Sequence, residues 1–276
     1  MYLAYSTYGM KDLDIFEALP RLHDMGYQGM EVAVTPGWAT EPSLMDRAAR
    51  DRLAALFRQL NFPTPAIMAL LSPCVEAELR PPMLEQFAAS FDLARDLRVS
   101  DDIPTVGTTL GHPKPAWDTD KERIAELVTE LADMAAERDV ILCIEPHAGG
   151  DFETPEKAVW LMQRTNHDHL KLNFDYSHFV VEDMDLQHCI NLNLPYAAHN
   201  HIKDGYRNQE GRVVYQLPGA GKLDMTVYLK AMHAAGWTGM ICPEVTGQIW
   251  NRDDYDPWET AQFCYDALNK GLQALD

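Results

Sequence analysis

Cations are scarce in this chain: 23 Lys and Arg stand against 42 Asp and Glu, a formal net charge of −19. A surface so acidic repels nucleic acid and anionic lipid, so neither is an expected partner. No apolar run approaches the roughly eighteen residues that a membrane helix needs. The start, MYLAYSTYGMKDLD, has no basic region followed by a long apolar stretch, so no secretory signal is visible and a cytoplasmic location is expected. The five cysteines (Cys74, Cys143, Cys189, Cys242, Cys264) form no CxxC pair. An odd, unpatterned set favours free thiols in a reducing compartment. No GxGxxG follows the first strand-like run, which removes the main marker of a dinucleotide-binding sheet. Linkers of domain-separating length and low-complexity tracts are missing as well.

What is present is alternation. Strand-like runs fall near 2–7, 29–34, 65–70, 103–108, 140–145, 170–175, 196–202 and 240–244. Amphipathic helical stretches lie between them, among them 43–61, 82–97, 119–138, 154–164, 226–235 and 258–272. Strict alternation predicts a parallel sheet with right-handed crossovers. Eight strands favour closure over an open sheet, and 276 residues suit one domain near the roughly 250 of a (β/α)8 barrel. The expected fold is therefore α/β, a single (β/α)8 TIM barrel over residues 1–276. Punctuation agrees: Thr154-Pro155-Glu156 reads as an N-cap, a first-turn proline and an acidic first turn. Asp118-Thr119-Asp120 is expected to open another helix, and Gly26 and Gly236 to close two.

Four residues that could bind one divalent metal end four successive strands: Glu145, Asp175, His201 and Glu244, at intervals of 30, 26 and 43. Each interval is near one strand-plus-helix unit, and barrels build their reactive face at the carboxyl ends of the strands. Singly, each residue reads as a rim carboxylate or a hydrogen-bonded histidine. Together they read as a site, because three carboxylates buried side by side without a cation would repel one another strongly. A hard, oxygen-rich set suits one divalent ion, Mn²⁺ first, with Mg²⁺, Co²⁺ and Zn²⁺ as alternatives. His147 and His112 are expected at the same rim, as substrate contacts or as loop histidines bonded to backbone. Glu31 ends the second strand, as a rim carboxylate or part of the site. His199 shares a face with His201 and is expected to orient a ligand. Cys143 and Cys242 stand two positions before a carboxylate, so they should lie inside the barrel as packing. Lys203 and Asp204 are expected to pair at the strand end. The loop GAGK at 219–222 could cradle an anion, and Trp38, Trp117 and Trp250 fall in expected loops.

The segments CIEPH, NFDYSH, HNHIKD, LPGAGKLD and GMICPEV, in this order, resemble the xylose-isomerase-like barrel superfamily, with the closest local match to ketose 3-epimerases. The resemblance implies the metal quartet Glu145, Asp175, His201 and Glu244. It also implies substrate-holding roles for His178, for Arg207 and for position 151, where this chain has the shorter Asp151. The implied activity is a metal-dependent sugar epimerase or isomerase acting on a ketose or keto-sugar, with Glu145 and Glu244 as the proton-moving carboxylates. A lyase, dehydratase or deglycosidase using the same enolisation is the alternative, favoured by the long expected loop 246–257. The endonuclease IV branch is disfavoured, because 65–73 carries no histidine, no Asp-x-His pair follows His201, and the charge opposes DNA. A small sugar is the expected partner, with a homodimer or tetramer as the expected assembly.

Overall fold

The computed structural model describes residues 1–111 and 116–275. The strands, in chain order, are β1 (Tyr2–Ser6), β2 (Gly29–Ala33), β3 (Ala66–Met68), β4 (Thr105–Thr108), β5 (Ile141–Ile144), β6 (Leu170–Asp175), β7 (Ala197–Ile202), β8 (Asp204–Arg207), β9 (Val213–Gln216) and β10 (Met240–Pro243). Eight of them close a parallel barrel in the order β1-β10-β7-β6-β5-β4-β3-β2, sealed by β1 pairing with β2. The remaining two, β8 and β9, form an antiparallel hairpin that grows out of β7. Alternate residues of a strand face opposite sides, and the two sides differ in character here. On β7, Asn200 points outward, its amide donating to the hydroxyl of Tyr228 on the helix Met225–Ala234 at 2.8 Å. His199 and His201 point into the barrel, where Glu31 of β2 receives both. Leu142, Ile144, Leu172, Phe174 and Ile241 join the hydrophobic core, while the interior near the carboxyl ends is polar.

The helices form where apolar residues recur at helical spacing. Ile15–Met25 buries Ile15, Ala18, Leu19 and Leu22, is capped by Asp14 accepting from the Phe16 amide at 2.7 Å, and stops at Gly26 with φ 109°. Thr154 caps Pro155–Thr165 as expected, its hydroxyl accepting from Lys157 N. The helix expected to open at 118–120 starts earlier, at Trp117, with Asp118 and Asp120 inside its first turn. Trp117 is therefore a helix residue packed against Phe152 and Trp160, each at 5.3 Å, and not a loop aromatic. Asp120 still serves the helix start, its carboxylate accepting from the Ala116 N–H at 3.0 Å. The stretch 246–257 holds a short helix, Gly247–Trp250. Among the described residues, no helix is long and apolar enough to cross a membrane.

Candidate active site

Glu145 stands one residue beyond β5, Glu244 one residue beyond β10, and Asp175 is the last residue of β6. Their side chains converge at the barrel mouth. Oxygens of Glu145, Asp175 and Glu244 and a ring nitrogen of His178 all lie within 4.8 Å of one another, and all four residues are buried. His178 sits in the short helix Ser177–Val180 that follows β6. Its Nε2 is 3.2 Å from Glu145 Oε1 and 3.6 Å from Asp175 Oδ2. Its Nδ1 faces the Ala148 N–H at 3.3 Å and the Tyr215 hydroxyl at 2.9 Å. Burial, with the Lys203 ammonium beside it, pushes the His178 pKa down to about 3, so the ring is neutral at pH 7.

Lys203 holds the centre. Its Nζ donates to Asp175 Oδ2 and to Glu244 Oε2, lies 3.1 Å from His178 Nε2, and is 4.0 Å from Glu145 Oε1. The side chain is fully buried. Burial opposes the charge on Asp175, but Lys203 outweighs it and holds the carboxyl well below the usual carboxylate range. The expected Lys203–Asp204 pair does not form, because neighbours on a strand face opposite ways. Asp204 turns instead to the 219–223 loop and accepts the backbone N–H groups of Gly221 at 2.9 Å, Lys222 at 3.1 Å and Leu223 at 3.2 Å. The anion cradled by GAGK is thus this protein's own carboxylate, and the loop is not free for a phosphate.

One layer deeper, Glu31 Oε2 accepts from His199 Nε2 at 2.7 Å and from His201 Nε2 at 2.8 Å. The other nitrogen of His201, Nδ1, is 3.8 Å from Glu145 Oε1 and 2.9 Å from the amide of Asn173. Cys242 Sγ shares this layer with Glu31 and His201. Cys143 is fully buried two positions before Glu145. Burial, reinforced by the Glu31 charge, pushes both thiols up, which fits packing rather than nucleophilic roles.

Over the mouth lies a cavity of about 430 Å³ whose lining includes Glu145, Glu244, His147, Tyr215, Asp151 and Tyr8. Apolar side chains line it too: Leu70, Leu71, Leu110 and Phe152. His147 packs ring to ring on His178 at 3.9 Å, and Asp151 reaches the cavity while accepting from the Trp117 N–H at 3.2 Å. Arg207 does not line this cavity; it is engaged on the β8–β9 hairpin by Glu182 and by the Gly211 carbonyl at 2.6 Å. Trp38 and Trp250 flank Tyr8 at 5.7 Å each and leave the cavity lining to it. His112 lies outside the described residues. Sequence reasoning misses Tyr215 and Lys203 as site residues, although the alternation DGYR…RVVYQ around Asn208–Gly211 is a hairpin signal that aims Tyr215 back at the mouth.

Fold and site together define a (β/α)8 barrel with a carboxylate-and-histidine centre at the carboxyl ends of its strands. The chain belongs to the xylose isomerase-like TIM barrel family, whose model matches residues 19–262. Among curated proteins it is similar to an inosose dehydratase of Geobacillus thermodenitrificans, 26% identical over 152 residues that cover 50% of this chain and 51% of that one. The chain thus spans about half the length of the curated relatives it matches. Among solved structures it is similar to the IOLI protein with a binding zinc atom, at a TM-score of 0.79, 18% identity, and coverage of 98% and 99%. It is likewise similar to a D-psicose 3-epimerase in the presence of D-fructose, at 0.78, 18%, and coverage of 100% and 99%. At such identity these likenesses show the fold alone.

Proposed function

We propose that this protein is a divalent-metal-dependent epimerase or isomerase of a ketose or keto-sugar. The observation that carries the reading is the gathering of three buried carboxylates around one ammonium at the mouth of a sugar-sized cavity. The donor set fits a hard cation: carboxylate oxygens converge, Glu145 Oε1 is buried without a hydrogen-bond partner, and a positive charge already stands among them. Glu145, Asp175, Glu244 and Nδ1 of His201 would hold the ion, with Mn²⁺ the metal we favour. Bound there, it would supply Lewis-acid polarisation of a keto oxygen and so acidify the neighbouring C–H.

The chain's own groups do the rest. Glu145 and Glu244 both line the cavity and come from strands three steps apart around the barrel, so they reach a bound sugar from different sides. One carboxylate takes the proton from carbon and leaves an enediolate; the other, protonated, returns a proton to the opposite face. Return to the adjacent carbon gives isomerisation instead. His147 lines the cavity and can present a ring nitrogen to substrate oxygens. His178, given a substrate-holding role by the resemblance, does not line the cavity and stands buried between Tyr215 and the carboxylates, with His147 against it. Asp151 also lines the cavity, where it can accept from a substrate hydroxyl.

The similarity to inosose dehydratase supports a second reading, in which the same proton abstraction is followed by loss of a group β to the carbonyl. Incubation of the Mn²⁺-supplemented protein in D₂O with free ketoses and with keto-glycosides separates the two. Deuterated epimer or aldose from ketose supports the first reading, and an unsaturated or cleaved product supports the second. No deuterium in any recovered substrate or product excludes both.

A further inference from the structure

One buried charge takes no part in that proton transfer, and it is the ammonium of Lys203. Its backbone is pinned, since Lys203 N donates to Ser177 Oγ at 2.7 Å and Lys203 O accepts from the same hydroxyl at 2.8 Å. The next residue, Asp204, is locked by the 219–223 loop. Only the flexible four-carbon stem can move, and it passes beneath the Tyr215 ring, with Nζ 5.1 Å from the ring centre. Nζ donates to Asp175 and to Glu244 and lies 3.1 Å from His178 Nε2, so the ammonium is held inside the cluster. Asp175 and Glu244 are also two of the residues assigned above to the metal.

We propose that Lys203 is a built-in counter-ion that competes with the divalent metal for the oxygens of Asp175 and Glu244. In the metal-free protein it neutralises part of the carboxylate charge and keeps the mouth folded. Loading requires the ammonium to release both oxygens and swing toward the cavity. Affinity is then set by an exchange of cations rather than by capture at a bare anionic site, so it is weaker than the donor set alone would give. The proposal rests on the metal reading of the site.

The test compares Mn²⁺ binding to the chelator-stripped full chain and its Lys203→Met variant, by calorimetry and by the resonance signal of free Mn²⁺. Methionine keeps the stem and removes the charge. We expect Lys203→Met to bind Mn²⁺ at least tenfold more tightly, while its metal-free form melts several degrees lower and regains that loss on saturation. Equal or weaker binding by folded Lys203→Met overturns the competition while leaving the metal reading intact. No Mn²⁺ binding to either protein defeats both. Should Lys203→Met not fold, acetylation of the wild type followed by mass spectrometry decides: Lys203, protected without metal, becomes reactive when Mn²⁺ is bound. Unchanged protection in the Mn²⁺-bound protein overturns the proposal.

Discussion

Glu31 receives the Nε2 proton of His201 at 2.8 Å, which turns Nδ1 of the same ring toward the carboxylates at the mouth. A carboxylate can only accept, so the buried Glu31 takes the Nε2 proton. Burial opposes a charge on His201, but Glu31 with Glu145 outweighs it and holds its pKa well above the ordinary histidine value. Nδ1 is the nitrogen that would give up its proton to a metal. The pairing links β2 to β7 across the barrel interior, below the residues that would touch substrate. Glu31→Gln weakens that constraint, and Mn²⁺ affinity is expected to fall roughly ten- to hundredfold with the fold retained. Calorimetric titration of the variant checks this; unchanged affinity would separate Glu31 from the metal centre.

Glu145→Gln and Glu244→Gln each remove one proton-transfer group while keeping shape. Turnover is expected to drop by about 10²–10⁴ in both. Full activity in either variant, measured by product formation, removes that residue from the chemistry.

Tyr215→Phe deletes the hydroxyl that meets His178 Nδ1 at 2.9 Å. A stability loss of about 1 kcal/mol is expected, as for a typical buried hydrogen bond. Turnover should fall more than melting temperature does, because His178 loses its orientation. A variant with wild-type kinetics contradicts the role given to Tyr215.

The apolar residues lining the cavity bear on substrate size. Leu71→Trp fills space in the cavity that Glu145 and Glu244 also line, so KM for a substituted keto-sugar should rise about tenfold or more while that for a free ketose changes less. Parallel kinetics on the two substrates test it, and equal effects on both place the substituent elsewhere.

Gly221 must bring its N–H to Asp204, and a Cβ there would collide with Asp204 Oδ1. Gly221→Ala is expected to destabilise the protein by about 1–3 kcal/mol, because the Asp204 carboxylate loses its cradle. A melting curve equal to wild type rejects this account of the loop.

The barrel is legible in the sequence because alternation and strand length are written locally in the chain. The runs ending at Glu145, Asp175 and Glu244 show it, since each couples an apolar strand to a carboxylate at its exit. The address of Lys203 is not legible in the same way. A lysine beside an aspartate reads as a pair until the pleat sends one to the mouth and the other to the 219–223 loop. Nor does sequence show that Glu31, 170 residues before His201, is its hydrogen-bond partner; closure of the barrel makes that contact. The β8–β9 hairpin hides in the stretch between β7 and the helix Met225–Ala234, where a connection is the ordinary expectation, and Tyr215 hides with it.

The central claim is that carboxylates at this mouth, with a divalent ion, remove a proton from carbon next to a keto group. Its most direct test is solvent-deuterium incorporation into a keto-sugar, followed by mass spectrometry with and without chelator. We expect deuterium at the carbon beside the carbonyl, abolished by metal removal and restored by Mn²⁺. Turnover that leaves every carbon-bound hydrogen in place, or exchange indifferent to the chelator, would contradict the account.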